Sequence, residues 1–313
     1  MPMQVIHHLE DVPSVLAGRP VAFTFGVFDG VHLGHRDLLH AVSVWAREHG
    51  GLAAVLTFTE HPLRLLAPAY APPLLSSLNR RLRLIEAAGI DLAAVIDFDR
   101  EIADTPPEVF VRDIVMQRFH ARAVFLGFNS RFGQGGGGDI GLLERLAPGC
   151  GFEVRLVAPH LAEGDVVSST QIRGLLRDGQ VRRAAALLGR PHAVEGTVVE
   201  GRRRGHMLGY PTANLAIDEG MLIPGSGVYA VRAEAGGCLH SGMMNIGHRP
   251  TFEPGALSVE VHLFDFDSDL YGLPLSVEMI ERLRAERRFE SPEALRHQLG
   301  LDAEQARQRL SRG

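Results

Sequence analysis

The sequence predicts an α/β chain of two domains, a doubly wound parallel sheet followed by an antiparallel β-barrel that ends in a helix. Three observations carry this. The chain has 313 residues, more than one core of ordinary size organises. Its first half alternates short apolar runs with helical patterns, the sequence form of βαβ units and so of a parallel sheet. From residue 192 the pattern changes to short strands between Gly/Pro turns, which suits a closed antiparallel sheet.

The elements follow in order. "PVAFTFG" (20–26) is a short apolar run ending in glycine, a buried strand. In "HRDLLHAVSVWAREHGG" Leu38, Leu39, Val42 and Trp45 recur at helical spacing until Gly50-Gly51 stops the helix. "LAAVLTF" (52–58), "DLAAVIDF" (91–98), "RAVFLGF" (122–128) and "FEVRLVAP" (152–159) read as further strands. "RRLRLIEAAG" (80–89), "PEVFVRDIVMQRF" (107–119) and "DIGLLERLAPGCG" (139–151) read as the helices between them. Residues 164–191 supply one or two short helices, and the domain junction is placed at 187/188. In the second domain 192–201, 227–247 (with a Gly236-Gly237 hairpin turn), 257–264 and 275–280 are strands. "LSVEVHLF" alternates, with Leu257, Val259, Val261 and Leu263 on one face and Ser258, Glu260, His262 and Phe264 on the other. Ser291 as N-cap and Pro292 as first helical residue open the last helix.

Composition narrows the chemistry. All 32 basic residues are arginine. A phosphate-binding P-loop, a protein-kinase site and a Schiff base each need a lysine, so phosphate here is held by arginine, histidine, backbone N–H groups or metal. A net charge of −5 gives no global basic field for nucleic acid. No apolar run approaches the roughly 20 residues that span a bilayer, and no secretory signal is apparent. Cys150 and Cys238 form no disulfide framework, so reduced thiols in a cytoplasmic protein are expected.

"FGVFDGVHLGHRDLL" (25–39) lies where the first strand ends and the first helix begins. In an open α/β sheet ligands bind at that edge, and a helix start offers free N–H groups and positive partial charge to an anion. Gly26, Gly30 and Gly34 let a phosphate approach the backbone. His32 and His35 bracket Gly34, so both can face the same anion. Zinc is the rival reading, but no further ligand motif accompanies the pair.

"FDGVHLGH" resembles the signature of the nucleotidylyltransferase superfamily, and is closer still to the prokaryotic bifunctional riboflavin kinase/FAD synthetases. "SSTQIR" (168–173) stands where that superfamily carries its second signature. The resemblance implies a nucleotide held by Gly26, Phe28, Asp29, Gly30, Gly34, Ser169 and Thr170. His32, His35 and Arg173 would stabilise charge during transfer of AMP from ATP to FMN. In "GFNSRFGQGGGGD", Asn129 and Arg131 match the family, Ser130 replaces an aromatic and Gly135–Gly138 replace basic positions. These departures predict weaker phosphate neutralisation and a slower adenylylation step.

"GHMLGYPTANL" (205–215), "MNIGHRPTF" (244–252) and "VEVHLFDFDSDLYG" (259–272) resemble the riboflavin kinase part of the same family. The resemblance covers nearly the whole chain in order. It implies a loop of Gly205, Gly209 and Pro211 over ATP, Mg²⁺ at Thr212 and Asn214, and Glu260 as the base for the riboflavin 5′-hydroxyl. Arg284 lies in a candidate flap, "LRAERRF" (283–289). His206 stands where the family has arginine, and Tyr210 where it has phenylalanine. The expected enzyme uses Mg²⁺ with ATP as co-substrate, phosphorylates riboflavin in residues 188–313 and adenylylates FMN in residues 1–187. The alternative is a riboflavin kinase with a degenerate N-terminal domain.

Overall fold

The computed structural model describes residues 2–201, 209–248 and 257–311, and its contacts divide the chain into residues 1–168 and 169–313. In the first unit six parallel strands run in the order β1-β4-β3-β2-β5-β6. They are β1 Gln4–Ile6, β2 Val21–Phe25, β3 Leu52–Phe58, β4 Leu92–Ile96, β5 Ala121–Gly127 and β6 Glu153–Val157. Every side chain of β2, β3 and β4 is buried, so they read as continuous apolar runs. Successive residues serve opposite faces. Phe23, Phe25 and Leu56 join one core cluster, while Ala22 and Val55 join the other.

Helix α1 (Leu33–Glu48) covers the second face with Leu38, Leu39, Val42 and Trp45, and α2 (Leu78–Ala87) adds Ile85. Helices α3 (Phe110–Arg118) and α4 (Ile140–Cys150) cover the first face with Phe110, Ile114, Leu142 and Leu143. Each such side chain contributes about 1.5–3 kcal/mol on full burial. The sheet is therefore doubly wound, and its strand order reverses between β2 and β5.

Three local differences from the sequence reading have simple causes. Strand β1 escapes notice because it has three residues and only Ile6 is buried. Helix α1 starts at Leu33, two residues before His35, because His32 takes the N-cap position with an extended backbone. Residues 165–166, expected to begin a helical stretch, pair instead in a small hairpin of β7 (Leu161–Ala162) and β8 (Asp165–Val166), and Gly164 turns it with φ +89°.

In the second unit α5 (Ser169–Arg177) and α6 (Val181–Leu188) precede the barrel. The division after Ser168 places both helices with it. The Gly225 N–H donates to the Leu176 carbonyl (2.9 Å), and α6 packs on β9 and β14. The barrel closes in the order β10-β13-β12-β11-β14-β9, antiparallel throughout. Its strands are β9 His192–Val199, β10 Ala213–Ala216, β11 Gly227–Ala235, β12 Cys238–His248, β13 Leu257–Leu263 and β14 Pro274–Arg284.

Gly236 and Gly237 turn the β11–β12 hairpin with φ of +59° and +77°, as a type I′ turn requires. Strand β14 outruns its apolar pattern. The polar "ERLR" end stays paired to β11 across two register shifts, so Leu283 and Arg284 belong to the strand and not to a free flap.

Helix α7 (Pro292–Leu310) is capped by the Ser291 side chain, which accepts from the Ala294 N–H. It covers the outer face of the barrel, where Ala303, Ala306 and Leu310 meet Ala230, Met243 and Phe264. Its anchor is ionic. Asp302 is fully buried and receives the Arg284 guanidinium at 2.7 to 3.1 Å, with the Gln298 amide at 2.7 Å. Removing one partner of a buried pair leaves the other charge uncompensated, at about 3–5 kcal/mol. Asp302→Ala is therefore expected to destabilise the barrel by about 3 kcal/mol, read as an earlier denaturant midpoint for its transition.

Candidate active sites

In the first unit the stretch after β2 is shaped by unusual backbone. Phe28, Gly30 and Val31 adopt φ of +51°, +76° and +40°. Phe28 and Val31 are not glycines, so each costs about 1–3 kcal/mol and persists only where its surroundings over-determine it. The chain then enters α1 at His32. His32 Nδ1 accepts from the His35 N–H (3.3 Å), which leaves Nε2 as the protonated nitrogen of the neutral ring. The two imidazoles stack at 3.7 Å with 15° between planes, and the ring of buried Phe28 meets His35 edge-on at 5.3 Å. The His32 ring lies over Gly34, where a Cβ would stand 3.3 Å from it. The expected pairing of the histidines at the helix start is thus present, next to the N–H groups that suit phosphate.

Asp29 differs from expectation. It is only 3 % exposed and turns inward. Its carboxylate accepts from the Leu75 N–H (2.8 and 3.1 Å) and the Ser76 N–H (3.3 Å), so it shapes the loop from beneath. Gly30 N–H donates to Ser76 Oγ (3.2 Å).

Asn129 and Arg131 follow β5, the parallel neighbour of β2, and so share the same sheet edge at the switch point. Arg131 is exposed and pairs with Asp139 at 3.0 Å. Asp139 caps α4, and the Leu142 N–H it accepts holds its carboxyl below the usual range, with Arg131 adding to the effect. The glycine run is structured. Phe132 and Gly138 exchange backbone bonds of 3.1 and 2.8 Å, and a Cβ at Gly138 would collide with the buried Phe132 ring. At the ends of β3 and β4 a cavity of about 530 Å³ is lined by Thr59, His61, Arg64, Asp97 and Phe98. The sequence reading passed over it.

The second signature opens α5, with Thr170 exposed, Ser169 half-buried and Arg173 buried. All of it but Ser168 falls in the second unit.

In the barrel, Thr212 immediately precedes β10 and Asn214 lies within it. Asn214 is opposite Glu260 on β13, and Glu260 is opposite Asn245 on β12. Directly opposed residues share a face, so the three side chains form one row across three strands. This is the outer face that α7 covers, and a cavity of about 280 Å³ opens there, lined by Tyr210, Thr212, Asn245, Glu260, His262 and Arg284 among others. A second cavity of about 290 Å³ is lined by Pro211, Thr212, Asp267, Ser268, Asp269 and Tyr271. Thr212 borders both. Gly209 turns the chain ahead of Pro211 with φ +85° and open space around it. Gly205 and His206 lie outside the described residues. Arg284 reaches the first cavity, but its guanidinium is committed to Asp302.

The donor set suits a hard cation. Thr212 and Asn214 offer neutral oxygens on one face with a carboxylate across from them, the set Mg²⁺ accepts when substrate phosphates and water complete its shell. Asn214 is packed over Gly201, where no Cβ fits. Among the described residues no three His, Cys, Asp or Glu side chains converge on one point.

The family model described as FAD synthetase matches residues 16–171, and that of riboflavin kinase matches residues 188–310. The bifunctional riboflavin kinase/FMN adenylyltransferase of Bacillus subtilis (strain 168) is 34% identical over 307 residues, covering 96% of this chain and 94% of that protein.

The chain belongs to the bifunctional riboflavin kinase/FMN adenylyltransferase family.

The family member of Escherichia coli (strain K12) is 34% identical, over 97% of this chain and 96% of its own. A crystal structure described as a macrolide-efflux protein from Streptococcus pneumoniae aligns with a TM-score of 0.86 at 30% identity, covering 98% of this chain and 99% of that one. Efflux is said of that protein. Here no helix among the described residues is long and apolar enough to cross a membrane.

Within the family frame two further residues stand out that sequence reasoning did not single out as functional. Asn245 sits in the quoted "MNIG", and only the barrel register brings it beside Glu260. His262 follows Glu260 on the same face, a position the alternation already gave. Its Nδ1–H donates to the Pro211 carbonyl (2.7 Å), which ties β13 to the loop before Thr212.

Burial pushes the His262 imidazole below the ordinary 6.5, and Arg307 adds to this, while the bond to Pro211 and Asp265 oppose it. The unfolded chain thus takes up the proton first as pH falls. The cost is absent above 6.5 and grows below it. Barrel stability, measured by urea unfolding between pH 5 and 8, is expected to fall on the acid side of 6.5, and His262→Gln is expected to flatten that slope.

Proposed function

We infer that the chain runs two successive ATP-dependent steps, phosphorylation of riboflavin to FMN in the barrel and adenylylation of FMN to FAD in the parallel-sheet unit. The observation that carries the first step is the position of Thr212 between two cavities. One has mostly apolar walls and contains the carboxylates of Glu260 and Glu286; the other is bordered by Asp267, Ser268 and Asp269. Phosphoryl transfer needs an alcohol and a phosphate donor brought together with little covalent help from the protein. Riboflavin fits the first cavity, with its 5′-hydroxyl towards Glu260, and ATP the second. Glu260 accepts the hydroxyl proton as the oxygen attacks. Mg²⁺ at Thr212 and Asn214 would neutralise charge on the transferring phosphates. Asn245, opposite Glu260 in the strand register, adds a polar group to the same cavity wall.

In the first unit the start of α1 receives the ATP phosphates. His32 and His35 donate to the oxygens that gain charge as the FMN phosphate attacks the α-phosphorus and pyrophosphate leaves. Asn129 and Arg131 act from the end of β5. The cavity at the ends of β3 and β4 has room for the flavin. The two free thiols suit the cytoplasm, where both reactions are placed.

Glu260→Gln is expected to slow riboflavin phosphorylation by about 10²-fold or more and to leave adenylylation of supplied FMN intact. His32→Ala or His35→Ala is expected to do the converse, by about 10²-fold. Chromatographic assay of FMN and FAD separates the steps, and equal damage to both from either change would contradict the assignment.

A further inference from the structure

We propose that Arg81 is a positioning residue for adenylyl transfer, a buried guanidinium that holds the left-handed Phe28–Val31 backbone and thereby places His32 and His35. The proposal rests on the reading that those histidines act on the phosphates.

Arg81 sits on α2, away from the quoted motifs, and is 1 % exposed. Burial lowers its pKa while Asp29 raises it, and a guanidinium in a protein keeps its proton. A permanent charge out of water must find acceptors. Its Nη1–H donates to the Val27 carbonyl (2.8 Å), and Nη2–H groups donate to the carbonyls of Phe58 and of Thr59 (3.2 Å). One side chain thus joins the loop after β2 to the end of β3. The Val27 carbonyl also accepts from Thr57 Oγ1 (3.2 Å), so the peptide that leads into Phe28 is held by two donors.

Asp29 completes the frame. It takes the Leu75 and Ser76 N–H groups, and Ser76 Oγ takes the Gly30 N–H. Phe28 and Val31 hold φ values that side chains with a Cβ avoid, and this frame over-determines them. The next residue is the His32 N-cap, and Phe28 is the ring that backs His35. A lysine would keep the charge but present a single point instead of a planar fork spanning three carbonyls.

The test uses the full chain as Arg81→Lys, Arg81→Met and Ser76→Ala. Adenylylation of FMN with Mg²⁺–ATP is followed beside riboflavin phosphorylation, circular dichroism reports folding, and amide hydrogen exchange is read over residues 26–36. The expected result for folded Arg81→Met is a kcat for adenylylation lowered about tenfold or more, as for other small misplacements of catalytic groups. Its KM for FMN stays near the wild-type value. Arg81→Lys falls in between, and riboflavin phosphorylation stays near wild type. Exchange over 26–36 quickens in both Arg81 variants, whether or not the wild-type chain makes FAD. A merely structural role would lower the folded fraction without changing kcat per folded molecule. If Arg81→Met does not fold, Arg81→Lys and Ser76→Ala decide by the same measures. Wild-type kcat and unchanged exchange in the folded variants would overturn the proposal. Quickened exchange in a chain whose wild type makes no FAD would instead place the failure in the functional reading.

Discussion

An arginine taken out of water keeps its charge, and the surrounding chain has to supply oxygen atoms for it. That obligation organises both halves of this molecule. Under the first sheet edge Arg81 gathers the carbonyls of Val27, Phe58 and Thr59, and the loop that carries the histidine pair takes its shape from them. In the wall of the barrel cavity the half-buried Arg284 grips the buried Asp302, and α7 is fixed over the outer face that carries Glu260. Arg81 stands behind the loop that carries the histidine pair, and Arg284 is part of the wall of the cavity that Glu260 also lines. A chain without lysine builds such anchors from planar forks, which fix direction as well as charge.

The two units meet the problem of a polyphosphate differently. The parallel sheet offers a helix start with its positive partial charge and two stacked imidazoles at its switch point, both suited to an anion approached end-on. The barrel offers a row of Asn214, Glu260 and Asn245 across three strands, with cavities meeting at Thr212. The first arrangement suits stabilisation of charge at phosphorus. The second suits an alcohol brought to a phosphate donor beside a base.

Much of this was legible in the sequence, and the rest was hidden for physical reasons. Fully buried strands such as Leu52–Phe58 announce themselves as apolar runs, and the alternation in "LSVEVHLF" already put His262 beside Glu260. The direction of a short polar side chain in a strained loop does not show in a motif. Asp29 therefore read as a ligand-facing carboxylate, while its oxygens bind backbone at Leu75 and Ser76. Alternation alone makes Glu260 an outward-facing strand residue, and its reading as the base came from the resemblance; α7 and the segment before it turn that face into a cavity wall. Arg284 read as part of a flap because the apolar pattern ends at Ile280, although backbone pairing continues past it. Asn245 needed the barrel register, and Arg81 needed the loop geometry. Neither is encoded at fixed spacing from the residues it serves.

The most direct test of a chain that performs both steps is a time course with riboflavin, ATP and Mg²⁺, the flavins being resolved by chromatography. The account predicts that FMN rises first and FAD follows at its expense. FMN that accumulates without FAD, even with added FMN and excess ATP, would contradict it and leave a riboflavin kinase joined to an inactive α/β domain.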